Sequence, residues 1–196
     1  MSRALLGWSM RRNVQRMLPE LNAELVRRLV REQFPQWADL PIREAMPQGW
    51  DNRTFRMGAE LSVRLPSAAH YVAQVTKEQH WLPVLAPHLP LPIPAPLALG
   101  QPSADFPWPW SVYRWHAGAT ANGGHIVDPV AFATDLGRFL VALQAIDPTG
   151  GPEPGPHNFY RGGPLATYDA ETRRAIALLA DTIDAPAAAA VWERAL

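Results

Sequence analysis

Arg64 stands between Val63 and Leu65 in the stretch "GWDNRTFRMGAELSVRLP", residues 49–66, whose alternation is that of short half-buried strands. A permanent cation in such a strand calls for a counter-charge, since a buried unpaired charge costs several kcal/mol. Glu78 is the acid on offer. It lies three residues after Val75 and four before Leu82, on the apolar side of a helical pattern. Both charges are therefore directed into one sheet–helix interface. The plain reading is a structural ion pair. The sharper reading adds a ligand, because a guanidinium has five donors and can serve a carboxylate and a phosphate together. "GWDN", Gly49 to Asn52, supplies a glycine turn between strands, where backbone N–H groups can approach an anion. Gly49 precedes Arg64 by 15 positions and Glu78 follows it by 14.

The elements that must hold these residues follow from periodicity. Leu21, Leu25, Leu29 and Phe34 keep helical spacing, with Arg27, Arg28 and Arg31 off that stripe and Pro35 as its end. From Ile42 to Leu65 the period falls towards two. Phe55 and Met57 share one face, Leu61, Val63 and Leu65 another, with Gly58-Ala59-Glu60 as a hairpin connection. Residues 70–82 return to helical spacing, with Tyr71, Val75 and Leu82 on one side and Pro83 ending the helix. Nine of the 21 prolines lie between residues 83 and 109, which predicts extended or edge-strand structure and no helix. "PWSVYRW" is one more strand and "HAGATANGG" a flexible connector. Asp128-Pro129 then caps and opens the strongest helical pattern, carried by Phe132, Leu136, Phe139, Leu140, Leu143 and Ile146. A Pro/Gly loop leads to a helix around Ala170 to Leu179, and Pro186 starts the last one. A small sheet followed by helices is an α+β layout.

Composition narrows the partners. The 196 residues carry no net charge, which removes the electrostatic footprint of a nucleic-acid or membrane-surface binder. Hydrophobic residues make up 47%, so a packed core is expected. With no cysteine, disulfides and thiolate chemistry are excluded. No apolar run is long enough to span a bilayer. The basic leader around Arg3, Arg11, Arg12 and Arg16 lacks the unbroken apolar stretch of a secretory signal, and Met10 or Met17 is the expected start. A cytoplasmic protein is expected.

Beyond these patterns, the chain resembles the aminoglycoside phosphotransferase family of kinase-like small-molecule phosphotransferases. It is most similar to the branch with arginine where protein kinases place a strand lysine. The resemblance rests on "FPQWADLPI", "GWDNRTFRMG", "VRLP", "KEQHWLP", "LPLPIPAPLALG", "FPWPWSVYRWHAG", "FLVALQAID" and "PHNFYRGGPL", and runs from about Leu25 to the end. It implies a protein-kinase-like α+β fold: an N-terminal antiparallel sheet lobe with one packed helix, and the incomplete start of a helical C-terminal lobe. The matching divisions are a basic, disordered extension at 1–19, a nucleotide-binding lobe at 20–116 and a partial helical lobe at 117–196. It further implies that Gly49, Trp50, Asp51 and Asn52 form the loop over the nucleotide phosphates. Arg64 would contact those phosphates and Glu78 would hold Arg64. Tyr113, Arg114, Trp115 and His116 would be the strand end and hinge beside adenine. The implied partners are ATP and an unidentified small molecule whose hydroxyl accepts the phosphoryl group, with magnesium expected in full-length relatives.

One departure matters for chemistry. Members of this family carry a histidine-glycine-aspartate catalytic loop, then a magnesium-binding asparagine and aspartate. His125-Ile126-Val127-Asp128 has the wrong spacing and lies too early, and Asp105-Phe106-Pro107 precedes the hinge. The family's loop normally follows a helix like "AVWERAL", where this sequence stops. The expectation is a family member truncated before its catalytic loop, able at most to bind nucleotide, with no catalytic residue or metal ligand assigned. Phosphoryl transfer depends on positioning and charge neutralisation at the γ-phosphate, which those missing groups would supply. Two alternatives stand beside it: a nucleotide-binding pseudokinase acting as a regulator, and an interaction protein displaying "LPLPIPAP" as a polyproline ligand. The histidines show no metal-like grouping. Most tryptophans are expected in the core, with Trp115 as the adenine neighbour.

Overall fold

The computed structural model describes residues 19–119, 121 and 126–196. The basic extension before Pro19 and the centre of the "HAGATANGG" connector lie outside the described residues. Chain contacts divide the protein into two compact units, Met1–Gln144 and Ala145–Leu196.

The first unit opens with helix α1, Ala23–Gln33, capped by Asn22, whose Oδ1 accepts the Leu25 N–H at 3.0 Å. Strands β1 (Ile42–Glu44), β2 (Asn52–Met57) and β3 (Leu61–Pro66) follow, then helix α2 (Val72–Leu85) and strands β4 (Pro96–Gly100) and β5 (Trp110–Arg114). They form one antiparallel sheet in the order β1-β2-β3-β5-β4. Gly58 turns the β2–β3 hairpin with φ +60, a left-handed value that suits glycine.

Register decides which residues share a face. Phe55 lies opposite Val63 and Met57 opposite Leu61, and Val63 in turn faces Val112. The two apolar sets that alternation alone places on separate faces are therefore one face, because directly paired residues of antiparallel strands project the same way. Helix α1 covers it. Leu25, Val26, Leu29 and Val30 pack with Phe55, Met57, Val63, Leu65, Trp110 and Val112 into the core. Each such aliphatic side chain contributes about 1.5–3 kcal/mol by burial. Gly100 is needed beside this core, since a Cβ there would stand 2.0 Å from Trp110 Cε2.

The opposite face is polar. Thr54, Arg64 and Ser111 are aligned across it, as are Arg56, Ser62 and Tyr113. Helix α2 lies against part of it with Val75 as its one buried residue. Polar ties do the rest: Gln79 Nε2 donates to the Ala98 carbonyl at 3.1 Å and to Ser111 Oγ at 2.9 Å.

Two expectations about proline need correction. Pro83 lies inside α2, which continues to Leu85, and residues Ala86–His88 form a further 3-10 turn. Pro83 withholds the N–H that would otherwise bond to the Gln79 carbonyl, and the helix runs on for only two residues beyond it. The proline-rich stretch is thus helical at its start and extended from Pro96 onward.

Helix α3 (Pro129–Gln144) completes the described part of the first unit. Asp128 Oδ1 accepts from the Val130 and Ala131 N–H groups at 3.0 and 2.9 Å, the expected cap. The second unit holds α4 (Asp169–Leu178) and α5 (Ala185–Ala195), the latter capped by Asp184 through the Ala187 N–H at 2.9 Å. Asp169 Oδ1 joins them, accepting from Arg173 Nε at 2.8 Å and Trp192 Nε1 at 2.7 Å, while Arg173 also reaches Glu193 at 2.6 Å.

Candidate functional site

Arg64 and Glu78 meet. Their side chains approach to 3.7 Å, from β3 and α2, and are 32% and 29% exposed. That spacing is an ion pair but exceeds hydrogen-bond length. The shorter contact to the acid comes from elsewhere: the Tyr113 hydroxyl donates to Glu78 Oε2 at 2.6 Å. The Arg64 guanidinium lies over the Tyr113 ring, 4.7 Å from its centroid, a cation–π contact. Burial pushes the Tyr113 phenol well above its ordinary range, and the bond to Glu78 pushes it further the same way. The phenol is a proton donor at every physiological pH.

These residues line a shallow recess open to solvent, together with Asn52, Gln74, Val75 and Ser111. Four residues singled out from sequence, Asn52, Arg64, Glu78 and Tyr113, are thus brought to one place. Two donors, Asn52 and Arg64, with Ser111 buried behind them, suit an anion.

The "GWDN" turn sits at the same end of the sheet, where Asn52 pairs with Pro66. Its carbonyls are turned towards the protein. Arg53 NH1 donates to the Gly49 carbonyl at 2.8 Å, Ser67 Oγ to the Trp50 carbonyl at 2.6 Å, and the Ser67 N–H to the Asp51 carbonyl at 2.9 Å. In a trans peptide the N–H points opposite to its carbonyl, so the N–H groups of Trp50, Asp51 and Asn52 are aimed away from these donors. The glycine itself contributes less than its type suggests. Gly49 is not left-handed, and a Cβ there would make only an ordinary 3.5 Å contact with the Asn52 carbonyl. Ser67, Arg53 and Gln48 shape the turn instead. The Gln48 amide accepts from the Thr54 N–H at 2.9 Å and donates to the Thr54 carbonyl at 3.0 Å, substituting for a strand neighbour. Trp50 is 90% exposed, and of the tryptophans expected mostly in the core only Trp110 is fully buried among the described residues.

Trp115, His116 and Arg114 lie at the far end of the sheet, beside the β2–β3 hairpin. The Trp115 N–H donates to the Glu60 carbonyl at 2.7 Å, and Arg56 stacks over the Trp115 ring at 4.9 Å. His116 Nε2 is 3.0 Å from the Ile93 carbonyl, and the Arg114 N–H donates to the Ala95 carbonyl at 2.9 Å. These contacts bind the proline-rich run to the sheet, and Pro96 is itself paired with Tyr113. Its backbone is engaged, unlike that of a polyproline segment held out for a partner.

Asp105 forms an ion pair with Arg28 at 2.6 Å and Phe106 is buried in the core, so "DFP" has structural duties. Among the described residues, no group of three or more His, Asp or Glu side chains is placed to hold a metal ion.

With this geometry in hand, comparison with known proteins is decisive on kinship. Residues 42–196 match the model of the phosphotransferase enzyme family. The chain belongs to that family. Among solved structures, this phosphotransferase-family chain is similar to an APH(2'') enzyme in complex with GDP and kanamycin, at 20% identity and TM-score 0.57 over 80% of this chain and 50% of the other. It is also similar to the GDP complex of wild-type aminoglycoside 2'-phosphotransferase-IIIa, at 20% identity and TM-score 0.59 over 83% of this chain and 52% of that one. At such identity the likeness establishes the kinase-like fold. The chain spans about half the length of these structures. A search of curated proteins gave no match.

Sequence reasoning missed five contributors: Tyr113 as the closest partner of Glu78, Gln48, Arg53 and Ser67 at the turn, and Arg56 over Trp115. Only Ser67 carries a local signal, a hydroxyl directly after the strand-ending Pro66.

Proposed function

We propose that this chain is the nucleotide-binding part of a phosphotransferase that acts on a small-molecule hydroxyl, and that it binds a purine nucleoside triphosphate on the polar face of the sheet. The N–H groups of the "GWDN" turn and the Arg64 guanidinium receive the phosphates. The base lies towards Trp115 and His116, at the other end of β3. A six-residue strand extends roughly 20 Å, a suitable length scale for a nucleotide lying along it. Glu78 and Tyr113 hold the Arg64 side chain from behind. ATP is the nucleotide expected from the resemblance, while GDP is the one named for the similar structures.

The observation that carries this reading is the recess in which Asn52, Arg64, Glu78 and Tyr113 converge on a kinase-like sheet. Calorimetry with ATP and with GTP tests it. One of the two binds, and Arg64→Ala weakens binding about ten- to hundredfold, the value of a charge-assisted hydrogen bond. Equal affinity in wild type and Arg64→Ala removes Arg64 from the site. No binding of either nucleotide overturns the reading as a whole.

A further inference from the structure

Glu78 Oε2 is shared by two groups that compete for it. The Tyr113 hydroxyl holds it at 2.6 Å, and Arg64 stands at 3.7 Å. A carboxylate and a guanidinium left to themselves close to a paired geometry of about 2.7–2.9 Å. Something prevents that closure here. Tyr113 is 2% exposed, comes from β5, and cannot retreat, because Tyr113 pairs with Ser62 in the ladder and Arg64 covers its ring. Its neighbour two residues earlier, Ser111, is fixed by Gln79, the residue after Glu78. The carboxylate is therefore held back at its β5 side while the guanidinium rests on an aromatic face.

We propose that Tyr113 is a positioning residue that controls how much of Arg64 is offered to phosphate: its hydroxyl restrains Glu78, and its ring supports a guanidinium whose N–H donors stay uncommitted. The guanidinium is thereby oriented without being neutralised by a close carboxylate. Without the hydroxyl, Glu78 swings onto Arg64 and withdraws those donors from the recess. This inference rests on the nucleotide reading above.

The test compares wild type, Tyr113→Phe, Glu78→Gln and the double variant, using ATP (or GTP, whichever the wild type binds) and the matching nucleoside as probes. Tyr113→Phe keeps the ring and weakens triphosphate binding about fivefold, the scale of a partly exposed ion pair, while nucleoside affinity stays within twofold. In the Glu78→Gln background the same change has no further effect, since no carboxylate remains to capture Arg64. Tyr113→Phe binding triphosphate as wild type does, or losing nucleoside and triphosphate affinity equally, overturns the proposal. So does the same fivefold loss in the Glu78→Gln background. A second measurement needs no variant. The Tyr113 hydroxyl proton in the wild-type chain is observable by NMR as a slowly exchanging resonance, and it persists at nucleotide saturation. Its disappearance on binding means that the phenol lets go of Glu78, against the proposal. If the wild type binds no nucleotide, it is the functional reading that fails, and this result is told apart from the others by the wild-type titration alone.

Discussion

The sheet with α1 and the helices from Pro129 onward use apolar residues in different ways. In the sheet region Phe55, Met57, Val63, Leu65, Trp110 and Val112 are fully buried under α1. Helices α3, α4 and α5 contain no buried residue, although α3 carries as regular an apolar stripe as any in the chain. Phe132, Leu136 and Leu140 on that stripe are all exposed. A similar content of hydrophobic residues thus yields a packed layer in one region and solvent-facing stripes in the other. The lesson is that periodicity specifies a face and leaves open what the face meets. The sheet region is held by burial, whereas the helices are held by local polar ties: the Asp128 and Asp184 caps and the Asp169–Arg173–Trp192 cluster.

Truncation experiments break or sharpen this contrast. Phe55→Ala empties the centre of the sheet core and is expected to cost about 3–5 kcal/mol in urea unfolding. Leu136→Ala removes a similar kind of side chain from α3 and is expected to stay within about 0.5 kcal/mol. Comparable costs would mean that α3 is packed as tightly as the sheet. Next in size is Gly100→Ala, which forces a methyl group into the Trp110 indole and is expected to cost about 1–3 kcal/mol by overpacking. A neutral result would show that β4 can move away from the core without penalty.

The smallest effect belongs to the helical side and depends on pH. Hydrogen bonds from Arg173, and then from Trp192, hold the Asp169 carboxyl below the usual carboxylate range. A group whose folded pKa is depressed contributes stability above its unfolded pKa and loses it as pH falls through the folded value. The α4–α5 contact is therefore unchanged from neutral pH to about 4 and loosens below that. The Trp192 indole N–H resonance reports it. In Asp169→Asn the acid-dependent change disappears, and its persistence would assign the transition to another group.

How much of this was legible depended on where the information lay along the chain. The Arg64–Glu78 meeting was readable because each charge is placed by its own local period, two in β3 and 3.6 in α2. The Tyr113–Glu78 bond was not, because it requires the β3–β5 register, and the long proline-rich segment between those strands gives no local cue to that pairing. The same holds for the single apolar face, which exists only once Phe55 is known to stand opposite Val63. Pro83 was misread as a helix end because a proline disfavours a helix without forbidding it, and α2 runs two residues past it to Leu85. Gly49 drew attention by type, while the turn's shape comes from Gln48, Arg53 and Ser67, whose roles are specific hydrogen bonds without a periodic signature.

Gln48 has one more consequence. Its amide counterfeits a peptide unit beside Thr54, whose carbonyl also accepts from the Ala45 N–H at 3.0 Å, so the seam along β2 is sewn partly by a side chain where β1 comes to its end. Gly49 to Asp51, between that side chain and the start of β2, can therefore be exchanged while Gln48 keeps the register, which makes this stretch a natural place to graft a different phosphate grip.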